Sequence, residues 1–190
     1  MKWGEKTVDR LYFVGIGGIG MSGLARYAQQ LGLEVAGYDK TQTALTRALE
    51  REGISIGFEE NLDHFNHWFD PIESERTGIV RTPAVPRNHP LFDRIAELAL
   101  PVIKRSKMLG AVAQNFETFA VAGTHGKTTT TAMLTHLLAD TPGGCNAFLG
   151  GILASTGSNV LLNPESKRLV VEADEFDRSF LQLNPTHAVI

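Results

Sequence analysis

The sequence predicts an α/β fold built on parallel sheets, because short apolar runs alternate with amphipathic helical patterns along the chain. Predicted strands lie at about 11–15, 34–38, 54–57, 78–81 and 101–103. Predicted helices lie at about 21–31, 42–51 and 90–99. Residues 58–77 interrupt the alternation, and their polar stretches around an aromatic cluster predict a short helix and a loop. Such alternation is typical of a parallel sheet covered by helices on both faces.

A second α/β unit is predicted to begin near Arg105 or Lys107. Its predicted elements are helices at about 106–114 and 127–139, strands just before residue 123 and at 168–173, and a buried strand at 186–190. We therefore expect two domains, residues 1–106 and 107–190.

The second unit opens with an apolar run that leads into Gly123-Thr124-His125-Gly126-Lys127-Thr128-Thr129. Glycines let backbone N–H groups turn inward, and a helix that starts near Lys127 adds a positive dipole end. Lys127 would reach the outer phosphates of ATP, and Thr128 has the hydroxyl position that ligates Mg²⁺. The usual phosphate loop would have glycine at 121, where this chain has Val121, so this loop is two residues shorter. The alternative is a Thr-rich helix start without a ligand.

The first unit carries a second glycine cluster directly after its first predicted strand. Gly15, Gly17 and Gly20 satisfy the pattern G-x-G-x-x-G, which predicts a diphosphate-binding turn of the Rossmann type. Asp39 ends the next strand, about 20 residues past the last glycine, where an acid often binds a nucleotide hydroxyl. Asp39 is equally compatible with a solvated strand end or a helix cap. The glycine pattern alone fits NAD, FAD or a UDP-sugar.

Together these segments resemble the Mur ligase family, over residues from about 11 to the end of the chain. Residues 15–23 resemble the family's first UDP-sugar loop, residues 123–130 its ATP loop, and residues 172–175 its acidic metal motif. Residues 82–86 resemble the segment that closes the sugar-nucleotide site, although Arg81 stands where relatives carry an uncharged residue. The resemblance implies a Rossmann-like UDP-sugar domain followed by the start of a P-loop-type α/β ATPase domain.

The resemblance also implies which residues hold each ligand. The UDP-sugar would be held by Gly15, Gly17, Gly18, Ile19, Gly20, Asp39, Thr82 and Pro83. ATP would be held by Gly123, Thr124, His125, Gly126, Lys127, Thr128 and Thr129, with Lys127 as the catalytic residue. Thr128 and Glu172 would ligate Mg²⁺. Asp174 and Glu175 are equally compatible with capping or with holding their loop.

The activity that the resemblance implies is an ATP-dependent ligation in peptidoglycan precursor synthesis. The carboxylate of UDP-N-acetylmuramate attacks the γ-phosphate of ATP, and the amine of L-alanine opens the resulting acyl phosphate to an amide. Alternatives are the family member that recycles a murein tripeptide, a UDP-sugar or nucleotide-binding module without catalysis, and an oxidoreductase. Family members continue through a further metal-ligand histidine and a third domain, so we expect the chain to be a piece without the full ligation.

Composition and charge are those expected of a cytoplasmic enzyme. The 190 residues are 43% hydrophobic with a formal charge of -3, which gives no reason to expect nucleic acid. No signal-peptide pattern or membrane-spanning apolar run is evident, so no membrane partner is expected. The single Cys145 has no basic neighbour and is predicted to be structural. His64 and His67 are the nearest approach to a metal spacing, and packing or surface roles are expected for them.

Overall fold

The computed structural model describes residues 2–3, 6–69, 75–153, 156–174 and 180–190. The chain divides into two compact units, Met1–Arg105 and Ser106–Ile190. This division lies one residue before the domain boundary that the sequence predicts.

The first unit is a five-stranded, wholly parallel sheet with helices between its strands. Its strands are β3 (Arg10–Val14), β4 (Glu34–Tyr38), β5 (Ser55–Gly57), β6 (Thr77–Arg81) and β7 (Val102–Lys104), preceded by a small antiparallel hairpin, β1 (Lys2–Trp3) and β2 (Lys6–Thr7). Its helices are α1 (Ile19–Gln30), α2 (Ala44–Arg51), α3 (Asp63–Trp68) and α4 (Pro90–Glu97). The strand order is β5-β4-β3-β6-β7, so the direction of winding reverses between β3 and β6. Open α/β sheets bind ligands at the carboxyl end of such a reversal.

One face of this sheet packs on α3 and α4 through a single apolar cluster. The cluster comprises Tyr12, Val14, Ala36, Tyr38, Phe65, Phe69, Ile79, Leu91, Ile95 and Leu100. Alternate residues of β3 and β4 contribute to it because successive strand side chains point to opposite faces. All five residues of β3 are buried, as expected for a central parallel strand covered on both sides.

The ends of two helices in this unit are fixed by local hydrogen bonds. Thr43 caps α2 by accepting from the N–H of Thr46 at 3.2 Å, and Thr46 Oγ1 accepts in return from the N–H of Thr43 at 2.8 Å. At α4 the cap is His89, whose Nδ1 accepts from the N–H of Leu91 at 3.3 Å, while proline occupies the first turn.

The second unit has a five-stranded sheet of order β10-β9-β11-β8-β12. Its strands are β8 (Glu117–Val121), β9 (Asn146–Phe148), β10 (Val160–Leu161), β11 (Arg168–Glu172) and β12 (His187–Val189), and its helices are α5 (Arg105–Ala113), whose first residue belongs to the first unit, and α6 (Lys127–Ala139). All pairs are parallel except β10 with β9. The phosphate-loop segment therefore follows β8, a strand paired on both sides.

The structure departs from the sequence prediction in several elements. β9, β10 and the hairpin β1–β2 were not predicted, because runs of two or three residues carry too little periodicity to register. The last strand was expected to be buried, but β12 is exposed along its whole length, and it pairs only with β8 among the described residues. In the segment 58–77 a short helix is present, and the expected loop falls largely at 70–74, outside the described residues.

No helix within the described part of the chain is long and apolar enough to span a bilayer.

Candidate functional site

The turn after β3 in the first unit is held in a conformation that only glycine adopts easily. Gly15 has φ +88°, and its N–H and that of Ile16 both donate to the carbonyl of Tyr38, at 2.8 and 3.0 Å. A Cβ on Gly15 would lie 2.4 Å from Thr82 Cγ2, so a larger residue has no room. The turn is thereby fixed between the carboxyl ends of β4 and β6.

Gly17 is tied directly to the acid that the sequence places at the end of β4. Its N–H donates to Asp39 Oδ2 at 2.8 Å, and the other carboxylate oxygen accepts from the N–H of Thr41 at 3.0 Å. A Cβ on Gly17 would lie 2.8 Å from both Asp39 Oδ2 and Thr46 Cγ2. Asp39 thus positions the glycine turn, and Thr43 rather than Asp39 caps the following helix. A carboxylate has further lone pairs, so Asp39 retains the capacity to accept from a ligand hydroxyl.

Helix α1 begins immediately after the turn and has no side-chain cap. Gly18 is its N-cap, and the first helical residue is Ile19. Gly20, in the first turn, lies against Arg105, whose Nη1 would be 2.6 Å from a Cβ at that position. A helix N-terminus with a guanidinium beside it is an electrostatic environment suited to a diphosphate. Arg105 was not singled out in the sequence.

The segment after β6 borders the same turn. Thr82 donates its N–H to the carbonyl of Val14 at 3.2 Å, and its Oγ1 accepts from the N–H of Ala84 at 3.4 Å. Pro83, next in the chain, is exposed. The structure therefore brings all the predicted sugar-nucleotide residues of this unit to one sheet edge.

A cavity of about 250 Å³ lies beside this edge and was not predicted. Tyr38 and His89 line it, together with Lys40, Glu60 and the segment around Val85. Burial lowers the pKa of His89 and raises the pKa of Tyr38. The sequence signal was weak, since a tyrosine ending a strand and a histidine before a proline are usually packing residues.

The turn after β8 in the second unit is the predicted phosphate loop. Gly123 has φ +125° and Gly126 has φ +76°, both in the region that favours glycine. Gly126 is the N-cap of α6 and offers no capping side chain. Lys127 Nζ donates to the carbonyl of Gly123 at 2.7 Å, so the ammonium lies over the loop itself. Thr124 and His125 are exposed at its tip.

Three residues from different elements meet beside this loop. Thr128 Oγ1 donates to Glu172 Oε1 at 3.1 Å, and Glu172 Oε2 accepts from the N–H of Gly150 at 3.0 Å. A Cβ on Gly150 would lie 2.5 Å from that carboxylate oxygen. Gly150 follows β9 and was not singled out in the sequence analysis. Its place in a Gly-Gly pair could have indicated a close approach of another group to the backbone.

The oxygens of Thr128 and Glu172 fit the requirements of a Mg²⁺ ion. Both are hard donors, and adjacent ligands of octahedral Mg²⁺ at about 2.1 Å are roughly 3.0 Å apart. Their observed separation is 3.1 Å. The remaining octahedral positions suit water and phosphate oxygens.

The cysteine and the histidine that the sequence analysis considered, Cys145 and His64, both contact other residues of the fold. Cys145 is buried, its Sγ contacts the carbonyl of Thr135 at 3.5 Å, and burial raises its pKa, which agrees with a structural role. His64 joins Tyr12 and Ser55 through its two ring nitrogens, at 3.1 and 2.9 Å. No cluster of three metal-binding side chains occurs among the described residues.

The acids after Glu172 differ in how far they are described. Asp174 is half-buried and its carbonyl accepts from the N–H of Phe180 at 3.1 Å. Glu175 lies outside the described residues, so capping and holding its loop both stay predictions for it.

Comparison with known proteins finds the same family at the levels of sequence and structure. The model of the Mur ligase family, catalytic domain, matches residues 10–117. A UDP-N-acetylmuramate–L-alanine ligase from Christiangramia forsetii is 49% identical over 183 residues, which is 96% of this chain and 40% of that protein. The chain therefore spans about 40% of the length of the curated relatives it matches.

Solved structures of ligases share the fold. The UDP-N-acetylmuramate-alanine ligase from Thermotoga maritima matches with a TM-score of 0.83 and 33% identity, over 94% of this chain and 40% of that one. The UDP-N-acetylmuramate:L-alanyl-gamma-D-glutamyl-meso-diaminopimelate ligase from Neisseria meningitides matches with a TM-score of 0.82 and 28% identity, over 97% of this chain and 60% of that one.

Proposed function

The chain belongs to the Mur ligase family, and on that premise we propose that it supplies the UDP-sugar-binding domain and the start of the ATP-binding domain of a ligase that joins L-alanine to UDP-N-acetylmuramate. The observation that carries this proposal is the presence of two different glycine turns. Each lies at the carboxyl ends of parallel strands in its own sheet, and only the second is followed by a lysine, a threonine and a facing glutamate.

The first unit is proposed to bind the diphosphate of UDP-N-acetylmuramate. The N–H groups of Gly15, Ile16 and Gly17 donate to Tyr38 and Asp39 and so hold the turn in place. The start of α1 would face the diphosphate oxygens, and Arg105 beside Gly20 would add positive charge. Asp39 holds Gly17 in place and has acceptor capacity left for a ribose hydroxyl. Thr82 and Pro83 would border the ligand from the β6 side.

The second unit is proposed to bind ATP and Mg²⁺. Lys127 would leave the Gly123 carbonyl to donate to the outer phosphates, while Thr128 and Glu172 hold the metal. Mg²⁺ bound there supplies charge neutralisation of the phosphoryl group in transfer. The loop residues Thr124, His125 and Thr129 would contribute backbone N–H groups at the exposed rim.

The proposed reaction has two steps. The substrate carboxylate forms an O–P bond to the γ-phosphorus while the bond to ADP breaks, and the ammonium of Lys127 stabilises the charge on the transferred group. The amine nitrogen of L-alanine then attacks the acyl carbon, phosphate leaves with the bonding electrons, and the nitrogen loses a proton. The L-alanine site and the second step are proposed for the whole ligase, because the relatives of this chain are longer than the chain itself.

The alternatives are less well supported. The tripeptide ligase from Neisseria meningitides is 28% identical to the chain, whereas the alanine ligase from Christiangramia forsetii is 49% identical. An oxidoreductase would have no use for a Gly-Lys-Thr loop with a facing glutamate. Because ATP and UDP-sugars are cytoplasmic metabolites, the ligase is proposed to act in the cytoplasm.

Calorimetric titration of the 190-residue chain tests the proposal. We expect binding of UDP-N-acetylmuramate and of ATP in the presence of Mg²⁺, and none of NADH. Submillimolar NADH binding without UDP-sugar binding would overturn it, and binding of UDP-sugar without ATP would limit the chain to a sugar-nucleotide module.

A further inference from the structure

Two buried threonines of α6 make the same hydrogen bond one turn apart. Thr131 Oγ1 donates to the carbonyl of Lys127 at 2.7 Å, and Thr135 Oγ1 donates to the carbonyl of Thr131 at 2.7 Å. Thr131 is 0% exposed and Thr135 is 2% exposed, so protein groups rather than bulk water satisfy both hydroxyls. A bond to the preceding turn is the usual way in which a threonine inside a helix pairs its hydroxyl. The two bonds are equal in length, but their acceptors differ in position.

The acceptor of the Thr131 hydroxyl belongs to the peptide group at the start of α6. A peptide group joins the carbonyl of one residue to the N–H of the next, so the Lys127 carbonyl and the Thr128 N–H are the two ends of one dipole. Thr128 is the second residue of α6, and N–H groups in the first turn of a helix have no partner within the helix. The N–H of Thr130 donates to the carbonyl of Gly126 at 2.9 Å, and Thr128 precedes that bond. The Thr128 N–H therefore stands outside the hydrogen-bond ladder of its own helix.

The start of α6 is electrostatically suited to an anion. Within the described start of this helix, the N-cap Gly126 offers no side-chain oxygen to the N–H groups of the first turn, and that turn contains no acidic residue. N–H groups at such a helix start bind phosphate oxygens, and the helix dipole adds to the attraction. In the ATP complex proposed for this unit, the Thr128 N–H would donate to a phosphate oxygen.

A donor at the carbonyl end of a peptide group strengthens the N–H at its other end. Hydrogen bonds in a chain polarise one another, by about 10–30% per bond. The Thr131 hydroxyl therefore fixes the orientation of the peptide group after Lys127 and makes the Thr128 N–H a better donor. Thr135 lacks this effect, because the peptide group that it contacts lies inside α6, where its N–H is paired with the carbonyl one turn earlier.

We propose that Thr131 is a positioning residue for the phosphates of ATP. Its buried hydroxyl holds and polarises the peptide group between Lys127 and Thr128, and it acts on the ligand only through the Thr128 N–H. The inference rests on the proposed function of the second unit. It gives a role to a residue behind the loop that the sequence does not distinguish, since residues 128–131 are four consecutive threonines.

The central comparison is between Thr131→Val and Thr135→Val in the 190-residue chain. Both substitutions exchange a buried hydroxyl for a methyl group in the same helix, and both delete a hydrogen bond of 2.7 Å to the preceding turn. We therefore expect similar losses of stability, measured by urea denaturation. Only Thr131→Val should weaken the binding of Mg²⁺-ATP, by about twofold to fivefold, as measured by calorimetry.

Two further variants separate the hydroxyl of Thr131 from its methyl group. Thr131→Ser keeps the donor for the Lys127 carbonyl, so it should bind Mg²⁺-ATP as the parent does, although it loses a buried methyl group and some stability. Thr131→Ala removes the hydroxyl and introduces the residue that most favours a helix. It should weaken binding as much as Thr131→Val does, and it takes the place of that variant if the valine chain does not fold.

Weakened binding in the valine and alanine variants of Thr131, with parental binding in Thr131→Ser and Thr135→Val, supports the inference. Equal affinities in Thr131→Val and Thr135→Val would overturn it. Binding by Thr131→Ser as weak as that by Thr131→Val would also overturn it, because the hydroxyl would then not be the group that acts. Both of these results leave the proposed function intact when the parent chain binds Mg²⁺-ATP. Failure of the parent chain to bind Mg²⁺-ATP would overturn the inference together with the function proposed for the second unit.

Discussion

Gly17 shows at the scale of single residues why the first site depends on glycine. Its amide hydrogen bonds to Asp39, and the same carboxylate lies where a Cβ would have to go. The residue therefore connects the diphosphate turn to the end of β4, and no side chain can be added without separating them.

Replacing Gly17 by valine should remove UDP-sugar binding. We expect Gly17→Val to weaken the affinity for UDP-N-acetylmuramate by at least about tenfold, because displacing the turn costs hydrogen bonds to a charged ligand of about 1.5–3 kcal/mol each. Calorimetry measures the affinity, and circular dichroism checks that the variant is folded. A folded variant with parental affinity would mean that the diphosphate lies elsewhere.

In the second unit the residue on which ligand binding is proposed to depend is Lys127. Its ammonium donates to the Gly123 carbonyl of the proposed ATP loop. Lys127→Ala should weaken binding of Mg²⁺-ATP by about 10- to 100-fold, since it deletes a charge-assisted hydrogen bond to phosphate. The control is Lys167→Ala, which removes the same charge from an exposed position of the same unit. Equal affinities in the two variants would exclude residues 123–130 as the phosphate site.

Glu172 is expected to affect the metal rather than the nucleotide. Glu172→Gln keeps one of the two acceptor oxygens, for either Thr128 or the N–H of Gly150, and removes the charge, so the Mg²⁺ concentration needed for half-maximal ATP binding should rise several-fold. Glu165→Gln makes the same change on the exposed surface and should not alter the Mg²⁺ requirement. An unchanged requirement in Glu172→Gln would remove Glu172 from the metal site.

At the scale of elements, the helices of the first unit depend on caps that the sequence only partly reveals. Thr43 and Thr46 form a reciprocal cap on α2, and His89 caps α4 through a ring nitrogen that must stay unprotonated. The histidine cap makes the stability of α4 depend on pH, because protonation of Nδ1 would remove the acceptor for the N–H of Leu91.

The stability of the first unit should therefore fall in mild acid. Burial lowers the pKa of His64 and of His89 below the ordinary value of 6.5, so the unfolded chain binds protons first as pH decreases. The free energy of unfolding should be constant well above pH 6.5 and decline below it. Urea denaturation at several pH values measures the decline, and His89→Asn should reduce it, whereas His136→Asn on the exposed surface of α6 should not. A flat profile below pH 6.5 would contradict this account.

At the scale of the whole molecule, the chain consists of two units, each with its own sheet and its own glycine turn. The first unit buries the apolar cluster between its sheet and helices α3 and α4, and the second unit buries a cluster that includes Ala147 and Val170. Each unit therefore has a hydrophobic core of its own.

The two nucleotides should accordingly be separable by substitution. Gly17→Val should retain parental Mg²⁺-ATP binding, and Lys127→Ala should retain parental UDP-N-acetylmuramate binding, because each residue lies in a unit with its own sheet and its own core. Calorimetry of each variant with each ligand measures this. Loss of both ligands in either variant would show that the two sites are not independent.

The sequence by itself determined the α/β class, the two glycine turns and the principal strands and helices. These features are local: glycine is favoured where φ is positive at Gly15, Gly123 and Gly126, and short runs with β-branched and aromatic residues, such as 117–121, favour strands. The resemblance to the Mur ligases depended on the same local patterns.

Only the tertiary structure decided which distant residues meet. Gly150 reaches Glu172 because β11 pairs with β9 on one side and β8 on the other, and no local pattern encodes that order. Tyr38 and His89 meet because β4 and the start of α4 share one face of the sheet. The exposure of β12 is likewise a tertiary property, since burial depends on what packs against a strand rather than on its own composition.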